Sequence, residues 1–520
     1  MADRRRTPNE IAQQVVPLIL LGVGLVTTNN AATILADEST TLGTASNPLR
    51  TIFGLAFSGS GKLGIHPLFD LLLHFWLRAT GGNFVYLRIP SSLFFLAGLF
   101  LLGRASRYFT GSSGGTAVIW VGILWPFAFH YARLAVWYSF SFFLVAGLTL
   151  SYFKYLEDRT FRRWAALFLF CACLIWTSYL GWAILACLAI DQLLRFRSKE
   201  PAATAKVVIG TAALLFVVFL PLFLLSTFQR MVPHERALAI LAGVAYNVFS
   251  FFVSESVAPW YWWLSVPAAL AIVFCMVLVV RWIPRPARRF LLYSALIAAV
   301  MALAGALQPK QLLFFSPWIL MPAGVAIEAA KPRWATYGLA AALLIIGAAG
   351  WYGIYSRRFY SAPQFLEPWQ EIAGDAAAKI NTGATVISDR PTFLFYLTYI
   401  LRVPRVNGPW EFAGVLPDQV KNPQVFSPAD WLTAERPPSG KIVLIRDGGE
   451  PKASDPNDQV ARQLDQTCGS ISSRLRMRDE GYAWKQRYLP QFNGPQWRIE
   501  IREYDCDSSN SKQIYRIPPQ

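Results

Sequence analysis

The stretch Ile11–Thr28, IAQQVVPLILLGVGLVTT, decides the class of fold, because it is an apolar run of nearly membrane-spanning length. The basic triplet Arg4–Arg6 precedes it, as at the start of a secretory signal, but no convincing cleavage site follows. We therefore predict a retained first transmembrane helix with its N-terminus in the cytoplasm.

Apolar runs of similar length recur along a chain of 520 residues that is 54% hydrophobic and 15% charged. Together with the first run they predict a polytopic α-helical membrane protein with about eleven transmembrane helices. The runs 163–179 and 180–194 are separated by a short turn, so they form either two helices or one bent element. Further spans are predicted at about 85–103, 114–130, 134–153, 163–179, 180–194, 206–228, 259–281, 288–306, 311–330 and 334–355.

The distribution of charge argues against a nucleic-acid partner, although the formal net charge is +17. Residues 1–355 carry 27 Lys and Arg against 12 Asp and Glu, whereas residues 356–520 carry 21 against 19. Alternating the sides of the spans places 19 of those 27 basic residues in the cytoplasm. The basic excess therefore belongs to the membrane loops and sets their orientation.

From about Arg357 the composition becomes that of a soluble domain. We predict a helix at Glu371–Lys379 and strands at Ala384–Ser388, Lys441–Arg446 and Trp497–Tyr504. The chain thus divides into a membrane module, 1–355, and a small α/β domain, 356–520. The module has outer loops at 29–84 and 229–258, and an odd number of spans places the α/β domain outside, in the periplasm.

The six cysteines fall into two groups. Four lie inside apolar runs, where a thiol behaves as a small hydrophobic group. Cys468 and Cys506 lie in the C-terminal domain, where they form a disulfide if that domain is outside and remain free thiols if it is cytoplasmic. The predicted topology favours the disulfide.

Since no Walker loop, GxGxxG or CxxC motif is present, nucleotide-driven chemistry has no support.

Two adjacent carboxylates, Asp37 and Glu38, follow the first span at the edge of the membrane. A carboxylate near hydrocarbon is costly unless it is paired, hydrated or bound to metal, so the pair is a candidate site. A solvated acidic loop is the alternative. The predicted inner face carries mostly Arg and Lys anchors, whereas the outer face adds His66, Asp70, His74, Arg133, Arg230, His234, Glu235, Arg236 and Lys310.

Acids, histidines and cations on one face suit transfer of a group from a lipid-linked phosphate donor to an acceptor hydroxyl or amine. A carboxylate accepts the acceptor's proton, while cations or a metal ion neutralise the departing phosphate. Binding at the bilayer surface supplies proximity. A charge-compensated phosphate needs no general acid, so one base and a few cations suffice.

Several motifs resemble the GT-C glycosyltransferases of family 39, which include protein O-mannosyltransferases and bacterial aminoarabinose and related lipid A transferases. The pair Asp37-Glu38 and the motif His66-Pro67-Leu68 are the most specific. The likeness covers nearly the whole chain loosely. It continues at Leu87–Ser91, Pro126–Tyr138, Thr177–Tyr179, Pro309–Leu313, Pro317 and Pro368–Ala373.

This resemblance implies inverting transfer of a sugar from a polyprenyl-phosphate donor to a glycan, lipid or protein on the outer face of the bacterial inner membrane. Asp37 matches the family's catalytic base, and Glu38 matches its neighbour near the donor or a metal ion. His66 matches the histidine of the family's His-Pro-Pro motif, which is His-Pro-Leu in this chain.

The resemblance also implies how the donor phosphate is held. Lys310 stands where the family usually has arginine, and the other candidate cations are Arg133, Arg230 and Arg236. The last two fit anionic headgroups equally well. A divalent metal ion is a candidate cofactor, with Glu38 and His234 as its candidate ligands.

The segment around Arg133 and the pair Asp70 and His74 lead to two further predictions. The family often has an acidic residue near the position of Arg133, but the segment Tyr131–Trp137 has none, which predicts that a second carboxylate is missing. Asp70 and His74 are four residues apart on a short amphipathic helix predicted to lie in the membrane interface, so they are expected to pair with each other.

Two other classes of function remain. A transporter or flippase for a lipid-linked glycan predicts broken helices and ionisable residues near the midplane, often in paired halves. The sequence has no internal repeat and few charges within the spans. A non-catalytic membrane scaffold predicts that the substitution Asp37→Asn has no phenotype.

Overall fold

The computed structural model describes residues 8–28, 36–57, 67–80, 86–111, 115–178, 180–196, 201–225, 237–303, 307–356, 368–401, 423–434, 439–447, 455–478 and 498–507. Two compact units are present. The first comprises Met1–Ala31 with Leu49–Ser361, and the second comprises Ala32–Pro48 with Ala362–Gln520.

The described part of the first unit is helical. Its helices are α1 (Pro8–Thr28), α3 (Leu49–Phe57), α4 (Pro67–Ala79), α5 (Ile89–Thr110), α6 (Thr116–Leu124), α7 (Pro126–Ala132), α8 (Tyr138–Glu157), α9 (Phe161–Thr177), α10 (Gly181–Phe196), α11 (Pro201–Leu225), α12 (Ala237–Val253), α13 (Trp262–Trp282), α14 (Arg285–Leu303), a 3-10 helix (Pro309–Gln311), α15 (Leu312–Phe315), α16 (Pro317–Ala329) and α17 (Arg333–Tyr355).

Five described helices, α5, α8, α13, α14 and α17, are long and apolar enough to cross a membrane. The segments Pro309–Phe315 and Pro317–Ala329 form a pair bent by 64° that passes the same test as one broken span. Shorter apolar helices occur within α1, α10, α11 and α12. The protein is therefore a polytopic membrane protein, and the count of about eleven spans stays a prediction.

Proline divides one of the predicted spans. The run 114–130 is two helices, α6 and α7, with Trp125 in an extended conformation between them. Pro126 has no backbone N–H to donate and its ring obstructs the preceding turn, so the helix restarts there. All seven residues of α7 are buried, which makes this short helix part of the core.

The second unit is an α/β structure whose described strands form a five-stranded sheet in the order β2-β1-β3-β5-β4. The first three strands in this order are parallel, and β5 runs antiparallel to both β3 and β4. The strands are β1 (Thr385–Ile387), β2 (Val425–Phe426), β3 (Lys441–Asp447), β4 (Gly469–Arg478) and β5 (Arg498–Asp505), and the helices are α2 (Ala36–Ser46), α18 (Trp369–Asn381), α19 (Pro391–Ile400), α20 (Pro428–Thr433) and α21 (Pro456–Thr467).

One face of this sheet carries a cluster of buried apolar side chains. Ile442 and Leu444 of β3 pack with Val460 and Leu464 of α21, and all four side chains are fully buried. The predicted disulfide between Cys468 and Cys506 is present at the edge of this cluster. The predicted helix and three strands are also present as α18, β1, β3 and β5.

The described residues of the predicted first outer loop form three helices, α2, α3 and α4. Among them, α2 packs against α19 and clusters with the second unit rather than with the rest of the loop. Its sequence, ADESTTLGTAS, is mostly polar or small, so it has no apolar surface suited to lipid. This places the acid pair Asp37-Glu38 in the second unit.

Candidate active site

The acid pair lies in the first turn of α2. Glu38 is fully buried and Asp37 is half-buried. The backbone carbonyl of Asp37 accepts a hydrogen bond of 2.9 Å from the Thr41 hydroxyl. A helix N-terminus carries partial positive charge, so this position stabilises both carboxylates. Asp37 thus combines an ionisable group with partial access, which is what a general base requires.

The other predicted site residues are divided between the units. Lys310 is half-buried in the 3-10 helix of the first unit, and Arg133 is 5% exposed in the same unit. The acid pair belongs to the second unit. His66, Arg230, His234 and Arg236 lie outside the described residues, so their roles stay predictions.

Arg133 is held between two elements of the first unit. It directly follows α7, and its guanidinium Nη1 donates a hydrogen bond of 3.1 Å to the backbone carbonyl of Thr28 at the end of α1. The guanidinium carbon lies 5.1 Å from the centre of the Phe129 ring, within the range of a cation–π interaction. The charge of Arg133 is therefore fixed in place relative to α1 and α7.

A buried carboxylate that sequence analysis missed is bonded to the segment that carries this arginine. Glu255 is 5% exposed and accepts hydrogen bonds from the hydroxyls of Tyr246, at 3.1 Å, and Tyr131. Tyr131 is two residues from Arg133. The segment Tyr131–Trp137 supplies no carboxylate of its own, as predicted from its sequence, but the turn after α12 supplies one to Tyr131.

Asp70 and His74 are buried, with 4% and 2% of their surfaces exposed, and lie one turn apart on α4. Their mutual pairing stays a prediction. His130 is buried in α7, where its ring packs edge-on against Tyr131 at 5.3 Å between centroids. That packing agrees with a structural role for His130.

Metal binding is not supported by the described residues, among which no group of three His, Cys, Asp or Glu side chains is arranged to hold an ion. Of the two candidate ligands, Glu38 is buried in α2 and His234 lies outside the described residues. The divalent metal ion therefore stays a prediction.

An apolar cavity of about 270 Å³ lies in the first unit between α6, α12, α13, α14, α16 and α17. Its walls include Trp125, Phe251, Leu312 and Phe315. Leu312 is two residues from Lys310, so the cavity approaches the segment that carries this cation. Its lining residues carry no charge and are almost all apolar, so the cavity suits an apolar chain such as that of a lipid.

No protein-family profile matches the chain. No curated protein matches it either. Among solved structures, the chain is similar to the crystal structure of ArnT from Cupriavidus metallidurans bound to undecaprenyl phosphate, with a TM-score of 0.50 and 13% sequence identity. The alignment covers 95% of this chain and 98% of ArnT. The chain therefore shares the overall fold of ArnT.

The likeness to ArnT extends over nearly the whole chain. Because the alignment covers almost all of both chains, it includes residues from both units of this protein. An identity of 13% relates the folds and leaves the roles of individual residues to be argued from this chain. Membership of family 39 stays a prediction.

Proposed function

We propose that this protein is an inverting glycosyltransferase of the GT-C type that moves a sugar from a polyprenyl-phosphate donor to an acceptor hydroxyl or amine. The observation that carries the proposal is the apolar cavity of the first unit, whose wall residue Leu312 lies two positions from Lys310. The fold supports it, since it is shared with an ArnT that was crystallised with undecaprenyl phosphate.

The donor lipid would be bound through two kinds of contact. Its isoprenoid chain enters the apolar cavity, where each buried methylene contributes about 0.8 kcal/mol. Its phosphate is held by the half-buried Lys310 and the buried Arg133, with Arg230 and Arg236 as further candidates. The arginines can contact a phosphate through two N–H groups, whereas lysine acts as a single point charge.

The chemical step uses Asp37 as the base. The acceptor's hydroxyl or amine loses its proton to the Asp37 carboxylate as its oxygen or nitrogen attacks the anomeric carbon. The bond from that carbon to the phosphate oxygen breaks on the opposite side, so the configuration inverts. The polyprenyl phosphate leaves with its charge already compensated, and no general acid is required. Glu38, His66 and a divalent metal ion are candidates for orienting the donor.

The acceptor site is on the outer face of the bacterial inner membrane under this proposal. The positive-inside distribution supports that orientation, and so does the Cys468–Cys506 disulfide in the second unit, since disulfides persist in oxidising compartments. The acceptor is then a glycan, lipid or protein of the cell envelope. The direct test is release of polyprenyl phosphate, with a mass gain on the acceptor, when the purified chain is given a polyprenyl-phosphate sugar.

A transporter or flippase for a lipid-linked glycan is the second candidate. One observation favours it, namely the 64° bend between Pro309–Phe315 and Pro317–Ala329, because transporters often bind substrate at broken helices. The two functions separate in a vesicle assay. Movement of the lipid-linked sugar between leaflets without acceptor glycosylation supports the transporter, and transfer in detergent, where no leaflets exist, supports the enzyme.

Filling the apolar cavity should weaken donor binding in a way that depends on lipid length. We expect Ala323→Leu, which adds three carbons to the cavity wall, to lower the affinity for undecaprenyl phosphate at least about tenfold by displacing a few methylenes. Affinity for dimethylallyl phosphate, whose short chain fills only part of the cavity, should change less than about twofold. Both affinities can be measured by titration of the protein in detergent.

The first unit offers a matched control for this substitution. A second apolar cavity, of about 290 Å³, lies between α8, α9, α10 and α11, and Ala189 lines it. Ala189→Leu introduces the same change in a cavity of similar size and should leave both affinities unchanged. Equal effects of the two substitutions, or equal effects on both lipids, would contradict a specific site for the long chain.

A further inference from the structure

Glu255 connects two helices through a pair of tyrosine hydroxyls. Its Oε1 accepts from Tyr246 on α12, and its Oε2 accepts from Tyr131 on α7. All three residues are at least 95% buried. We call this group, Glu255 with Tyr131 and Tyr246, the Glu255 clasp. A buried carboxylate is expensive unless such donors satisfy it, so the clasp defines where each tyrosine can stand.

Each arm of the clasp leads to a candidate phosphate-binding cation. On one arm, Tyr131 lies two residues before Arg133, whose guanidinium is bonded to Thr28. Because α7 has only seven residues and Arg133 directly follows it, a shift of Tyr131 also shifts the backbone of Arg133. The Glu255–Tyr131 contact therefore restrains the backbone of Arg133, and the hydrogen bond to Thr28 restrains its guanidinium.

The other arm reaches the segment that carries Lys310. Tyr246 is followed by Asn247, whose side-chain amide donates to the carbonyls of Gly243, at 2.8 Å, and Leu307, at 3.4 Å. Leu307 is three residues before Lys310, and α12 packs against the 3-10 helix Pro309–Gln311. The position of α12 therefore influences where Lys310 stands.

The turn that carries Glu255 is itself rigidly held. Ser254 has a φ of +66°, a left-handed conformation that is unfavourable for a residue with a Cβ, and it is fully buried. The hydroxyl of Ser256 donates a hydrogen bond of 2.9 Å to the Gly350 carbonyl on α17. A Cβ added at Gly353 would lie 2.5 Å from the Ser256 carbonyl oxygen, so the close approach of α17 depends on glycine.

We propose that Glu255 is a positioning residue of the donor site, which sets the relative placement of Arg133 and Lys310 through the two arms of the clasp. This inference rests on the proposed function, in which both cations hold the donor phosphate. The strained backbone at Ser254 persists only because the surrounding contacts hold it, and the same contacts keep the Glu255 carboxylate in one position. Glu255 acts through the tyrosines and is not assigned a role in the chemical step.

A second buried carboxylate supplies the control. Asp191 on α10 is also fully buried and accepts hydrogen bonds from two tyrosine hydroxyls, Tyr152 at 2.8 Å and Tyr293 at 3.1 Å, and from Arg289 at 3.2 Å. None of these four residues belongs to a segment that carries Arg133 or Lys310. Asp191→Ala therefore removes a comparable network without affecting the clasp.

The experiment compares binding of undecaprenyl phosphate with binding of undecaprenol, which lacks the phosphate. For wild type we expect a preference for the phosphate of roughly 10- to 100-fold, the effect of one to two charge-assisted contacts. Glu255→Ala should reduce that preference about tenfold while leaving undecaprenol affinity unchanged. Glu255→Gln should restore part of it, since the amide keeps the shape and one acceptor oxygen. Asp191→Ala should retain the full preference.

Hydrogen exchange measured without lipid provides a second readout. In Glu255→Ala, peptides spanning 126–137 and 307–312 should both exchange faster than in wild type, and Tyr131→Phe should affect the first more than the second. An unchanged phosphate preference in Glu255→Ala, or equal loss for both lipids, overturns the positioning role. A wild-type preference near one overturns the proposed phosphate site, and hydrogen exchange then decides separately whether Glu255 holds the two segments.

Discussion

The substitution Asp37→Asn should reduce sugar transfer by about 10²- to 10⁴-fold, the usual contribution of a general base. The amide is nearly the same size as the carboxylate but cannot accept the acceptor's proton. Its structural cost should be small, because a charge in the first turn of a helix contributes about 0.3–1 kcal/mol to stability. Mass spectrometry of envelope glycans and lipid-linked sugars, in cells carrying wild type or the variant, measures the loss.

The matched control is Glu371→Gln, which removes an exposed first-turn carboxylate from α18 in the same unit. It should cost similar helix-terminus stability and leave transfer unchanged. Glycans that are unchanged in Asp37→Asn, at equal protein level, would rule out Asp37 as the base and favour the scaffold. Loss of transfer in both variants would point to a stability effect rather than to catalysis.

The class of fold was predictable from sequence because its signals are local. A bilayer demands long apolar runs, and those runs give the helical, polytopic first unit directly. In the second unit, apolar runs such as Lys441–Arg446 correspond to β3, and the compartment expected for Cys468 and Cys506 predicted their disulfide. Each of these signals lies within a few residues or depends on overall topology alone.

The contacts at the candidate site were not predictable in the same way. Glu255 and Tyr131 are 124 residues apart and meet only because α7 and α12 pack together. The sequence does mark Ser254-Glu255-Ser256 as a polar interruption after the apolar α12, but it does not identify the partner. Pro126 is a local signal for a break in the helix. A search for spans by the length of apolar runs ignores this signal, so it predicted one helix at 114–130.

The position of the acid pair illustrates a different limit. Asp37 and Glu38 follow an apolar run, so proximity in sequence suggests that they belong to the membrane module. In the structure, α2 packs against α19 (Pro391–Ile400), which lies far along the chain, and α2 belongs to the second unit. Sequence identified the residues of interest but not the unit to which they belong.

The second large effect is expected for stability, at Glu500 in β5. Glu500 is 4% exposed and accepts hydrogen bonds from Arg446 at 2.7 Å, Arg502 at 2.9 Å and Ser473 at 3.0 Å. Removing one partner of a buried ion pair typically costs about 3–5 kcal/mol, because the remaining charges lose their compensation. We therefore expect Glu500→Gln to lower the free energy of opening of the second unit by about that amount.

The same carboxylate predicts how stability depends on pH. Burial alone raises the pKa of Glu500, but hydrogen bonds and charges from Arg502 and Arg446 outweigh burial and lower it from 4.5 to about 2. A lowered pKa in the folded state means that ionised Glu500 stabilises the fold above about pH 4.5, and that this stabilisation is lost as the pH falls toward 2. Glu500→Gln should remove this part of the acid dependence.

Hydrogen exchange of β3 and β5 amides in the full chain measures the free energy of opening at each pH. Glu503→Gln is the control on the same strand. The Glu503 carboxylate is more exposed, at 19% of its side chain, and pairs with Lys379 at 2.7 Å. A pair of this kind contributes only about 0–1 kcal/mol. Equal losses in the two variants would show that strand charge, rather than the buried arrangement around Glu500, sets the stability of the second unit.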